Sequence, residues 1–196
     1  MSQSPSAPMD PRDYLTVLVS IIIGLGVSHL LAGVGRMVVA RRLVRVYWAS
    51  LVMTAVVFLA HVQWWWSTIR SVEHLADNFF GFVFFLLVPV ALYLLAVLVL
   101  PDFDDLAEPV SLRDHYYANH RWFYGIGALL PLLNALRNVF VEGAPFWNED
   151  RPFELAGFLL MLVGAAVRSP KYHAFLAVAA FFGFLAMIVA TSLRPG

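Results

Sequence analysis

The chain has 196 residues, 61% of them hydrophobic and 13% charged, with a mean hydropathy of +0.76 and no net charge. A charged share about half of the ~25% usual in soluble domains excludes an ordinary soluble fold, and zero net charge gives no electrostatic footing for nucleic acid. The absence of cysteine excludes disulfides, thiolate metal sites, iron–sulfur clusters and cysteine nucleophiles.

These numbers predict an all-α integral membrane protein with membrane lipids as its first partner. Residues 1–9 are rich in Ser and Pro and read as a disordered tail. Residues 10–196 read as a single transmembrane domain. The tail lacks the basic n-region of a signal peptide, so the first apolar stretch is expected to be retained as a span.

Six apolar stretches are candidate spans, each judged against the ~20 residues a crossing needs. The first is Tyr14–Val39, opened by Asp10 as N-cap and Pro11 at the first helical position. The second, Val46–Ser67, ends in Trp64-Trp65-Trp66. The third, Phe79–Leu100, is closed by Pro101. The fourth is Trp122–Val141. The fifth, Phe153–Val167, is short and is expected to thin the bilayer or tilt little. The sixth is Ala174–Leu193, with Ser169-Pro170 as a turn before it. Between spans three and four, Ser111 and Asp114 form a capping-box-like start, which predicts a short interfacial helix through His115, Tyr116, Tyr117, Asn119, His120 and Arg121 that merges into helix four. The expected architecture is a six-transmembrane-helix bundle carrying that short helix between helices 3 and 4.

Positive charge sets the expected orientation. Arg36, Arg41, Arg42, Arg45, Arg113, Arg121, Arg168 and Lys171 fall on one side, against Arg12, Arg70, Arg137, Arg151 and Arg194 on the other. By the positive-inside rule, both termini lie outside the cytoplasm, in a multi-pass protein of the inner membrane. Trp48, Trp64–Trp66, Trp122 and Trp147 sit near span ends, as interfacial aromatics do. The triple Trp reads as such a belt, with a binding platform as its alternative.

Span four carries the most unusual chemistry. Gly127, Pro131, Asn134, Asn138 and Glu142 recur at intervals of three and four and share one face, with Arg137 beside them. Leu129, Leu132, Leu133, Leu136 and Phe140 occupy the opposite face and are expected to meet lipid. Helical rise puts Asn134 ~4–5 Å and Arg137 ~9 Å outward of Pro131, and His61 of span two ~6 Å outward of the middle of its own span. His61, Asn134, Arg137 and Asn138 are therefore expected in one outer layer, with Glu154 as charge partner of Arg137 and Asp77 or Glu142 as other partners. Arg137 suits an anion because its guanidinium is a planar fork, and His61 suits a proton. The same groups also serve as helix-to-helix hydrogen bonds, or let Arg137 snorkel.

Span one holds Gly24, Ser28 and Ala32, a small-residue stripe expected to pack helices closely and to support a homo-oligomer. His29 lies on a neighbouring stripe with Gly26, Gly33 and Arg36, as a packed histidine, relay or ligand. The ~10 Å difference in depth between His29 and His61 argues against one haem held by both, although b-type haem on His61 and another ligand stays an alternative. Asp102, Asp104, Asp105, His115 and His120 match no strong metal template. No GxSxG, HExxH, Walker A or GxGxxG motif is present.

The leading expectation is an outward-facing intramembrane polar pocket that binds or conducts a small solute, ion or proton, a transport-type role without catalysis. Two alternatives stand beside it: a non-catalytic accessory or assembly subunit of a larger membrane complex, with the same polar groups as helix linkers, and a b-type haem-binding protein or lipid-headgroup enzyme using His29 and His61.

Overall fold

The computed structural model describes residues 11–71, 79–104, 108–140 and 143–193. Six helices follow in order: α1 (Pro11–Val39), α2 (Trp48–Ser71), α3 (Phe79–Val99), α4 (Leu112–Phe140), α5 (Arg151–Ala166) and α6 (Pro170–Leu193). The apolar runs form helices because in a hydrocarbon medium every backbone N–H and C=O needs a partner within its own segment.

Among the described residues, five stretches are long and apolar enough to cross a membrane: Thr16–Val39, Trp48–Ser67, Gly81–Val99, Leu112–Phe140 and Pro170–Val189. The chain is thus a multi-pass helical membrane protein. Helix α5, at 16 residues, falls short of the ~20 a crossing needs, so a sixth span does not follow from length.

Local signals explain several boundaries. Helix α1 begins at Pro11 and α6 at Pro170, the first helical position where a missing N–H costs nothing. The expected cap at Asp10 lies outside the described residues. Ser111 Oγ accepts the amide of Asp114 at 3.3 Å, the cap its spacing predicts. The helix it starts merges into helix four as expected, with no break to mark off an interfacial part. It runs unbroken to Phe140, because nothing between Leu112 and Gly125 interrupts the backbone ladder. Pro131 is carried inside α4 and Pro89 inside α3.

The connections before α2 and α4 are tied by a small parallel bridge that an all-helical reading does not contain. Strand β1 (Val44–Arg45) pairs with β2 (Val110–Ser111), Val44 opposite Val110. The bridge starts α2 and α4 at the same end of the bundle, so both run in one direction. That end also holds Arg36, Arg41, Arg42, Arg113, Arg121, Arg168 and Lys171, and is called the basic end below.

Helix α4 packs along α5 and α3, α3 against α1 and α2, and α2 against α1 and α6. The larger core cluster, at the basic end, gathers Leu30, Met53, Leu95, Phe103, Leu112, Tyr116, Tyr124 and Leu176. A second, toward the far end, holds Val19, Ile23, Phe85, Val88, Leu92 and Leu133. Leu133 therefore turns inward rather than to lipid, whereas Leu129, Leu132 and Phe140 are exposed as expected.

On α1 the close packing within the chain falls on the stripe of Gly26 and Gly33 and not on that of Gly24, Ser28 and Ala32. Gly24, Ser28 and Ala32 are exposed, and nothing lies within 4 Å of a Cβ placed on Gly24. Gly26 and Gly33 are the close contacts, against His61 and Leu100. A helix apolar on every side gives no amphipathic signal to choose between adjacent stripes.

Candidate functional site

The far end of α4 carries the polar layer. Asn134 Nδ2 donates to Glu154 Oε1 at 2.5 Å, and Arg151 Nη1 donates to Glu154 Oε2 at 2.7 Å. Both carboxylate oxygens are thus taken, one across to α4 and one within the first turn of α5. Arg151 is the buried member: it is 2% exposed, its Nε donates to Phe146 O at 2.8 Å, and its guanidinium lies 5.4 Å from the Phe146 ring centroid. Its Nη2 is buried and makes no hydrogen bond among the described residues. The backbone supports this placement, since Asn148 Oδ1 accepts the amides of Asp150 and Arg151 at 3.2 and 3.0 Å and fixes the start of α5.

Arg137 lies in the same layer, but the ion pair of Glu154 is with Arg151. Arg137 Nη2 donates to Asn138 Oδ1 at 3.4 Å, and its guanidinium sits 5.9 Å from the Trp64 ring centroid on α2. Trp64 in turn packs on Phe85 at 5.6 Å. The triple Trp therefore divides: Trp64 faces the bundle, while Trp65, whose Nε1 donates to Ser20 Oγ at 3.3 Å, and Trp66 are exposed. Asp77 and Glu142, considered as partners of Arg137, lie outside the described residues.

His61 shares the depth of this layer and not its contacts. The Trp64–Arg137 contact levels α2 with α4, and His61 and Asn134 each lie three residues earlier, ~4.5 Å deeper. Yet His61 is fully buried with Nδ1 donating to Val57 O at 2.8 Å, and its Nε2 abuts Gly26, where an added Cβ would stand 2.2 Å away. No hydrogen bond among the described residues joins it to Asn134, Arg137 or Glu154. With one ring nitrogen on a carbonyl and the other against a helix backbone, His61 does not fit a haem iron. His29 is half-buried on α1.

The aspartate and histidine candidates of the α3–α4 connection are also spoken for. Asp102 Oδ1 accepts the Asp104 amide at 3.1 Å, and Asp104 Oδ2 meets Arg36 Nη1 at 3.4 Å on the surface. Asp105 lies outside the described residues. His115 Nε2 donates to Leu98 O at 3.0 Å and His120 Nδ1 to Tyr117 O at 2.7 Å. Among the described residues, no group of three or more His, Asp or Glu side chains could hold a metal ion.

A second polar cluster at the basic end went unforeseen. His173 Nε2 donates to Val167 O at 2.8 Å, which leaves Nδ1 as acceptor for the Tyr116 hydroxyl at 3.0 Å. Tyr116 has then spent its proton, so Tyr124 donates to it. The order Tyr124 to Tyr116 to His173 to Val167 O is the one arrangement that satisfies all four groups. Tyr117 and Tyr47 hydroxyls meet at 3.3 Å beside it, and Arg168 lies 5.8 Å from the Tyr117 ring centroid. Tyr116, Tyr117, His120, Tyr124 and His173 are all buried. The members come from α2's approach, α4 and α6, and only the spacing of 116, 120 and 124 on one helical face hinted at them.

No protein-family model, curated protein or solved structure matches this chain.

Proposed function

We propose that this multi-pass protein binds a small anion at the far end of α4, in the outer half of a bacterial inner membrane, with the basic end in the cytoplasm and both termini outside. The observation that carries this reading is the Arg151 guanidinium, 2% exposed and with a buried Nη2 that no described residue accepts from. A buried cation in an apolar bundle is costly, and an N–H left over on it suits an oxygen of a small carboxylate. Asn134 and Glu154 hold Arg151 in place, and Arg137 and Asn138 extend the polar layer. His61 then serves packing between α1 and α2, outside the binding group. The reading is of a solute-binding or transport-type protein, without catalysis.

The test is the thermal stability of the purified protein titrated with formate, acetate and chloride, each as its sodium salt. A saturable rise with a carboxylate, lost in Arg151→Lys, supports the reading. A wild type indifferent to all three sinks it.

A second reading is favoured by Glu154, both of whose oxygens already have protein partners. The layer then serves as a lock between α4 and α5 in an accessory subunit of a larger membrane complex. Co-purification in a stable larger assembly, with no response to anions, supports that role.

A further inference from the structure

Four cations stand around Tyr117 at the basic end. Arg113 and Arg121 lie one turn before and one turn after it on the same stripe of α4. Arg168, in the turn between α5 and α6, sets its guanidinium 5.8 Å from the Tyr117 ring centroid. Lys171 follows in the first turn of α6. All four are exposed, and no ion pair among the described residues involves any of them. The sole acid on α4 is Asp114, also exposed. Asp104 of the α3–α4 connection is turned to α1, where it meets Arg36. This corner therefore keeps a surplus of positive charge in a chain that is neutral as a whole.

Depth decides what kind of anion these cations meet. Helix α4 is long for a span at 29 residues, ~43 Å against the ~30 Å of a hydrocarbon core. The part from Trp122 to Phe140 covers ~28 Å by itself. That puts Trp122, which is 71% exposed, at the edge of the hydrocarbon as an interfacial aromatic. Arg121 and Tyr117 then stand ~1.5 and ~7.5 Å beyond the edge, within a headgroup layer ~5–8 Å deep. On the membrane side of the cations the surface turns apolar. Phe175, one turn beyond Lys171, is exposed, and so are Leu162 and Val163 near the end of α5. A soluble anion uses the cations and leaves this apolar surface idle, whereas a phospholipid uses both. We infer that this corner binds the phosphate of a net-negative phospholipid between Arg121 and Arg168, with Arg113 and Lys171 on its outer side and the acyl chains along Phe175 and Val163. The Tyr117 ring holds Arg168 in place, so the site is partly formed before the lipid arrives. It lies at the opposite end of the bundle from the anion site and does not rest on it.

The experiment is native mass spectrometry of the full chain from mixed micelles with equal amounts of phosphatidylglycerol and phosphatidylcholine, read as the ratio of the two lipids bound. The expected result is a preference for phosphatidylglycerol that falls about fivefold for each charge removed in Arg121→Gln and Arg168→Gln. The control is Arg41→Gln with Arg42→Gln, which removes two exposed charges from the α1–α2 connection at the same end and should leave the ratio unchanged. An equal loss in the control would mean a diffuse field and overturn the site, as would equal binding of the two lipids by the wild type. Millimolar inorganic phosphate should not displace phosphatidylglycerol. Displacement would assign the cations to a soluble phosphate and overturn the lipid. Should Arg168→Gln lose the Tyr117 contact and fail to fold, Arg121→Gln decides the matter alone.

Discussion

Gly26 on α1 and His61 on α2 are fitted to each other: a single methyl on Gly26 would stand 2.2 Å from the buried His61 Nε2. That relationship rests on backbone on one side and a ring held by Val57 O on the other, so neither partner yields easily. Gly26→Ala is expected to destabilise the protein by about 1–3 kcal/mol, the usual range of overpacking. In a double-mutant cycle with His61→Ala the two losses should not add. Gly24→Ala, two positions away in open space, should stay within about 0.5 kcal/mol. Reversible unfolding in mixed micelles measures all four.

The lock between α4 and α5 predicts an asymmetry. Glu154→Gln leaves the Arg151 guanidinium without its countercharge at a site almost closed to solvent, and removing one partner of a buried pair costs about 3–5 kcal/mol. Replacing both, as Arg151→Met with Glu154→Leu, should cost less than the single change. If the double variant is the less stable of the two, the pair contributes more than its desolvation penalty and the expectation is wrong.

His173→Phe deletes the acceptor that takes the Tyr116 proton and the donor to Val167 O. With the ring volume retained, the loss is chiefly that of two buried hydrogen bonds, about 1–3 kcal/mol for each group stranded. Tyr124→Phe removes only the first donor of the chain and should cost less. Thermal unfolding of the two variants side by side gives the order.

Gly164 and Gly157 lie on the same short helix and should differ in tolerance. A Cβ on Gly164 would come within 2.8 Å of Leu176 Cδ2 and 3.1 Å of the Tyr124 ring, whereas Gly157 has nothing within 4 Å. Gly164→Ala is expected to loosen the α5–α6 turn by about 1–3 kcal/mol, and Gly157→Ala to be neutral or slightly stabilising. Limited proteolysis of the turn at Val167–Pro170 reads the difference.

The absence of native cysteine makes topology directly measurable. Single cysteines at Glu149 and Arg168 flank α5, which is only ~24 Å long at ~1.5 Å per residue. The six-span reading expects an impermeant thiol reagent to label them from opposite sides of the membrane. Labelling of both from one side would leave five crossings.

Much of this was legible in the chain, and the limits have physical causes. Apolar runs located the helices, and Ser111 and Pro170 located two helix starts. The three-and-four spacing of Gly127, Asn134 and Asn138 turned the right face of α4 inward. Glu154 was foreseen as entering this layer, while its partners had to come from geometry. Arg151 stands beside Asn148-Glu149-Asp150, which reads as a solvated loop, and only the packing under Phe146 buries it. The Tyr116–His173 chain joins helices far apart in sequence, which local periodicity does not register.

The parallel bridge between Val44 and Val110 also constrains the order of assembly. The residues of α1 and α2 are all joined before Val110 is made. At ~5–20 residues per second, the intervening chain takes roughly 3–13 s to synthesise. During that interval Leu43 O has no β2 amide to accept from, whereas in the finished protein it takes the Val110 N–H at 2.8 Å. The first helix pair is therefore completed unlatched, and its register at the basic end is sealed only once β2 has been made.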